Sequence, residues 1–160
     1  MMSSMLLLLV SFMVIDPAYC FDLYKAPVEK VEELKPGDVK KVSACWWGFD
    51  TKDSTEALQR AIDFGAEEVV VPNMGSPWVV RPINLRSGLW LNIMPGVIIE
   101  AKKGEFKGKG DSLFSAVNIE NLKISGYGAV LRMHKRDYQN KAIYEPAEWR
   151  MAISLRGCKN

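Results

Sequence analysis

The sequence predicts an all-β solenoid, a parallel β-helix closed at its N-terminal end by one short α-helix. Three observations carry that prediction. A single amphipathic helix signal lies before Gly65, and the chain beyond it is a succession of short apolar runs broken by sharp corners. No second helix has room between those runs, which excludes a βαβ sheet, since its parallel strands need crossover helices. Finally, "LNIMPGVIIE" (residues 91–100) and "LKISGYGAVLR" (residues 122–132) share one pattern at an offset of about 31 residues, with one residue gained at the corner. A recurring pattern of this kind is the mark of stacked coils.

The elements follow in order. Residues 5–15 are apolar except for Ser11 and run into Pro17 and Ala18-Tyr19-Cys20. This reads as a secretory signal over residues 1–20, cleaved after Cys20, although its first residues lack Lys and Arg. A secreted or periplasmic protein is expected. The run falls short of the about 20 apolar residues of a membrane span, so no stable membrane insertion is expected after its removal. Residues 21–41, with Pro27, Pro36 and Gly37, read as a charged leader with a half-turn at 31–34. From Val42 the chain becomes small and aromatic, as suits entry into a core; residues 42–160 are expected to form the cap and first coils.

Asp53 is placed to cap a helix over 53–64, with Glu56 three residues on for the reciprocal bond. Ala57, Leu58, Ala61 and Ile62 form one stripe, and Gly65 suits a left-handed stop. A helix of about three turns does not stand alone in water, so its stripe must cover another apolar surface. Short strands are predicted at 68–71, 78–80, around Ile83 and Leu85, 89–93, 97–99, 113–117, 122–124, 130–131 and 153–155. A stack of such strands has open ends whose unpaired edges invite aggregation. The helix is therefore read as a lid, with Val69-Val70-Val71 opening the first coil beneath it.

The stretch from Trp46 to Ala101 resembles the N-terminal part of the pectin-lyase-like, right-handed parallel β-helix superfamily, which includes polygalacturonases, rhamnogalacturonases and pectate lyases. The matching residues are Phe49, Asp50, Asp53, Thr55, Ala57, Leu58, Gln59, Ala61, Ile62 and Asp63; "VNIENLKISGYGAVL" (117–131) is similar to a recurring coil of that group. The resemblance spans roughly 42–160. It implies a right-handed coil and a polysaccharide partner, with glycoside hydrolysis of uronate-containing chains as the leading activity. A polysaccharide lyase and a non-catalytic binding or attachment module are the alternatives. Two departures stand out: the Gly-Asp-Gly turn before the helix is replaced by Phe49-Asp50-Thr51-Lys52, and the aspartate and histidine motifs of the glycosidases are absent. The catalytic residues are thus expected beyond residue 160, with this chain a truncated piece, inactive alone, that supplies the cap and first coils.

Composition narrows the chemistry. Residues 21–160 carry all 21 basic and 18 of the 19 acidic residues, a formal +3. That permits an anionic polysaccharide and is too weak a charge to argue for nucleic acid. With one histidine and no Cys-x-x-Cys, no metal or cofactor site is predicted, nor is a protein partner. Cys45 and Cys158 are either bridged or buried and unpaired.

Glycoside hydrolysis calls for two carboxyl groups at a set separation. The adjacent pairs Glu32-Glu33 and Glu67-Glu68 do not supply them, and Asp50 and Asp53 read as turn and cap residues. No catalytic residue is assigned. The candidates for substrate binding lie on loops, where function concentrates on a rigid scaffold. They are His134, Lys135 and Arg136, a basic cluster that could meet an anionic sugar, and Trp149 and Arg150. Trp149 could stack on a ring or merely cover the coil; Arg150 could fork a carboxylate or tie its loop down. His134 has no carboxylate nearby in sequence.

Overall fold

The protein is a right-handed parallel β-helix with a capping helix, seen in a computed structural model that describes residues 21–146 and 149–160. The residues read as a secretory signal lie outside the described ones. The described residues form ten strands: β1 (Lys41–Ser43), β2 (Glu68–Val71), β3 (Trp78–Val80), β4 (Ile83–Asn84), β5 (Trp90–Ile93), β6 (Ile98–Ala101), β7 (Phe114–Val117), β8 (Lys123–Ser125), β9 (Val130–Arg132) and β10 (Ile153–Arg156). They form three parallel sheets, β1-β2-β5-β8, β3-β6-β9 and β4-β7-β10. The chain visits the first, second and third sheets in turn and then repeats.

Alternation along each strand builds the core. Val42, Val69 and Leu91 stack in the first sheet, Trp78 and Ile99 in the second, and Ile83 and Phe114 in the third, all wholly buried. Apolar side chains at every second residue face inward while their neighbours face out.

The predicted repeat is real but its register differs. Leu91 lies beside Ile124, an offset of 33, and Ile98 beside Val130, an offset of 32. The corner thus loses one residue where a gain was expected, because β8 is displaced by two residues from the predicted match. A two-residue slip leaves every side chain on its own face, so the apolar pattern could not reveal it.

The helix α1 (Thr55–Asp63) buries the predicted stripe, with Leu58, Ala61 and Ile62 wholly buried and Ala57 nearly so. Gly65 follows at φ +96°. The first coil differs from expectation: β1, beginning inside the presumed leader, pairs with β2 and precedes the valines. Ahead of it, residues 31–33 form a 3-10 turn whose Val31 and following Leu34 are buried, and Glu32 pairs with Arg60 of α1 at 3.0 Å.

Backbone and side-chain groups of the cap cover the N-terminal edges of the other two sheets. The Ser54 N–H donates to the Val79 carbonyl at 2.7 Å, and the Arg81 N–H donates to Thr55 Oγ1 at 2.8 Å, which covers β3. The Gln59 amide does the same for β4, accepting the Asn84 N–H at 2.9 Å and donating to the Asn84 carbonyl at 3.0 Å. Arg86 seals the far end by donating to the carbonyls of Ile62 and Ala66. At the N-terminal end β2 is thus paired with β1, and β3 and β4 take hydrogen bonds from the cap, the kind of cover that keeps open edges from associating.

Asp53 lies at the centre of this closure. Its Oδ1 accepts the Thr55 N–H at 3.0 Å and the Thr55 hydroxyl. Its Oδ2 meets Lys102 Nζ at 2.7 Å and Arg81 Nε at 3.2 Å. The predicted reciprocal bond from Glu56 is replaced by an outward approach to Arg81 at 3.9 Å. Partial burial alone would raise the Asp53 pKa, but the hydrogen bonds from Lys102 and Thr55 and the charge of Arg81 outweigh it. They hold the pKa at about 2 against an ordinary 3.8.

A carboxyl depressed on folding stabilises the protein above its unfolded pKa, and that contribution is lost as pH falls through the folded one. Acid unfolding should therefore steepen between about pH 4 and pH 2. Asp53→Asn should flatten that limb and cost about 1–2 kcal/mol at neutral pH, allowing for solvent screening. Urea midpoints measured across this range for both chains provide the check; parallel acid limbs would refute the assignment.

Candidate functional site

Both long excursions of the chain, 102–113 and 133–152, leave the solenoid at the same corner, between the second and third sheets. Stacking of successive coils brings them together. Phe106 anchors the first, with its ring buried although its backbone takes φ +61°. Positive φ is strained for a bulky residue, costing on the order of 1–3 kcal/mol, and burial of an aromatic ring offsets a cost of that size.

The second excursion folds onto the first. Buried Tyr144 accepts the Gly104 N–H on its hydroxyl at 3.1 Å, and the Glu145 N–H donates to the Lys107 carbonyl at 3.1 Å. Tyr138 and Tyr144 meet edge to face at 5.2 Å. The result is a wall beside the outward face of the third sheet. That face is a low floor of small polar side chains, Asn84, Ser115 and Ser154 in register, with the Ser115 hydroxyl donating to Asn84 Oδ1 at 3.0 Å.

Two grooves flank the wall. One, of about 500 Å³, is lined by Lys109, Gly110, Trp149, Met151, Ser154, Leu155 and Arg156. The other, of about 460 Å³, has an apolar floor of Met133, Met151 and Ala152 with Lys135, Tyr138, Gln139 and Arg150 around it. Met151 is common to both. Neither groove is lined by a carboxylate among the described residues, and the described residues hold no cluster of metal-ligating side chains.

The five sequence-predicted residues separate. Trp149 is 68% exposed, on the first groove. Lys135 and Arg150 line the second, and Arg136 is exposed and lines neither. Arg150 ties its loop down, with its Nη2 donating to the carbonyls of Gly108 at 2.9 Å, Glu145 at 3.2 Å and Lys107 at 3.4 Å.

His134 corrects the sequence reading. Its Nε2 lies 3.3 Å from Glu100 Oε1, and Glu100 Oε2 accepts from Arg132 at 2.9 Å. The partner lies one coil away, supplied by β6 stacking on β9, and this trio faces outward on the second sheet. The repeat itself pairs Glu100 with Arg132, so the signal was present. Lys109, on the first excursion, and Arg156, on β10, line the Trp149 groove although they are far apart in sequence. On the first excursion Lys102 turns back to Asp53 while Lys109 lines the groove. Glu67 and Glu68 form no pair, as expected: they meet Lys40 and Lys41 at 3.5 and 3.4 Å.

The class defined by this geometry is the right-handed parallel β-helix, three parallel sheets with one capping helix. A crystal structure of a Parabacteroides merdae protein, provisionally assigned as a glycosyl hydrolase, matches it with a TM-score of 0.56 at 18% sequence identity, over 74% of this chain and 60% of that one. At that identity the likeness concerns the fold. This chain spans less than two thirds of the length of that protein. No family model matches the chain, and no curated protein does.

The Tyr144 hydroxyl should matter more than its position on a loop implies. Tyr144→Phe leaves the Gly104 N–H without its acceptor, which should cost about 1 kcal/mol. Amide exchange at Gly104 should accelerate with little change at Leu91 in the core; equal protection in both chains would count against the bridge.

Proposed function

We propose that this chain belongs to an exported carbohydrate-active β-helix protein, a glycoside hydrolase acting on uronate-containing polysaccharide, and that it contributes the cap, the first coils and part of the binding surface. The observation that carries this reading is Trp149, exposed on a groove that Lys109 and Arg156 also line. An indole offers a flat apolar face to the C–H side of a sugar ring, as aromatic side chains commonly do at interfaces. The two cations share its groove and could meet ring carboxylates, and Arg156 is suited to a bidentate grip. The floor of Asn84, Ser115 and Ser154 offers short hydrogen-bonding side chains to sugar hydroxyls. His134 lines neither groove and lies beside Glu100.

The lack of groove carboxylates among the described residues favours a second reading, in which this stretch binds polysaccharide without cleaving it. Hydrolysis needs a carboxyl pair about 5–9.5 Å apart, and a lyase needs a base beside the uronate.

The chain should be retained on immobilised polygalacturonate at low ionic strength and released by salt, as exposed charges are screened. Trp149→Ala should weaken binding about tenfold, or ~1.4 kcal/mol. No retention, or retention unaffected by losing the indole, would sink the proposal. Product assays separate the readings: new reducing ends indicate hydrolysis, ultraviolet-absorbing unsaturated ends a lyase, and neither a binding module.

A further inference from the structure

We infer that Arg150 is a positioning residue for Trp149: it clamps the two excursions into one wall and thereby sets the indole in the groove it shares with Lys109 and Arg156. The inference rests on the polysaccharide reading above for its functional consequence, and on geometry for the clamp itself.

Trp149 is 68% exposed, so its ring has little packing of its own to hold it. Its place depends on the backbone that carries it, and the next residue is the most heavily tethered on the excursion. Arg150 Nη2 reaches carbonyls of both excursions, Lys107 and Gly108 on the first and Glu145 on the second. Its guanidinium carbon lies 4.7 Å from the centre of the Tyr138 ring and 5.7 Å from that of Tyr144. The guanidinium thus lies over two aromatic rings while Nη2 donates to carbonyls, two interactions that an ammonium group does not combine in the same way.

One side chain therefore links two coils of the solenoid, and both rings with which it interacts lie on the second excursion. Removal leaves the Gly108 carbonyl without this donor and takes the cation away from Tyr138 and Tyr144. The segment carrying Trp149 then samples many positions, and a ligand must meet the entropy of ordering it. Arg150 thus acts on a sugar chain in the Trp149 groove without touching it.

The test uses the full chain labelled with 5-fluorotryptophan, which gives five fluorine resonances from five tryptophans. Loss of one line in Trp149→Phe assigns Trp149. In Arg150→Ala that line should move to its unfolded position and sharpen, while those of Trp46, Trp47, Trp78 and Trp90 stay in place. Oligogalacturonate binding should fall about tenfold in Arg150→Ala. The Arg150→Ala, Trp149→Ala double variant should bind no more weakly than Trp149→Ala alone, since the two act as one unit.

A general loss of stability would move all five lines, which a positioning role does not. Should the alanine chain not fold, Arg150→Gln retains a carbonyl donor and part of the stem, and the same single-line shift is expected of it. A Trp149 line unmoved in a folded Arg150 variant overturns the clamp, whatever the chain binds. A clamp-dependent line in a chain that ignores oligogalacturonate leaves the clamp standing and overturns the substrate reading and the positioning role with it.

Discussion

Closure of unpaired strand edges is the constraint on which the rest of the molecule depends. A stack of coils bonds each strand to the coil before and after it, so the starting coil presents rows of backbone groups with no partner. In water such edges are solvated but sticky; covered, they need a hydrogen bond for each buried group. This chain satisfies them from one short segment. β1 covers the first sheet, Ser54 and Thr55 the second, and Gln59 the third. The charge cluster at Asp53 binds that segment to two successive coils through Arg81 and Lys102.

Once the first coil is fixed, the same stacking decides where everything else falls. Strand pairing holds the coil walls rigid, and length variation is absorbed at the corner between the second and third sheets. Both long excursions leave there, and they pack because their roots are one coil apart. Tyr144, Arg150 and the Glu145 N–H then join them, so a pair of loops behaves as a wall. The division of roles at Trp149 and Arg150 follows: one residue exposes its side chain and its neighbour spends its own on the scaffold.

Much of the fold was legible because its signals are local. Val69 and Val71, Leu91 and Ile93, and Phe114 with Ala116 alternate within their own strands. Ala57, Leu58, Ala61 and Ile62 mark one helical face. β1 was not legible: Lys41-Val42-Ser43 has no pattern of its own and is a strand only because β2 lies beside it. The site was legible in part. Trp149 and Lys135 line grooves, whereas His134 lies against Glu100 and Arg150 against carbonyls, partners that local sequence does not specify.

The sequence by itself determined the all-β solenoid, its capping helix and the residues that face its core, because period and turn chemistry act over a few residues. Tertiary structure alone decided the register of the coils, the edge bonds of Gln59 and Thr55, and the meeting of Lys109, Trp149 and Arg156. The physical reason is the two-residue period of a strand. It states which side chains point inward but leaves any even slip between coils equally compatible with the pattern, and neighbours across coils are set by that slip.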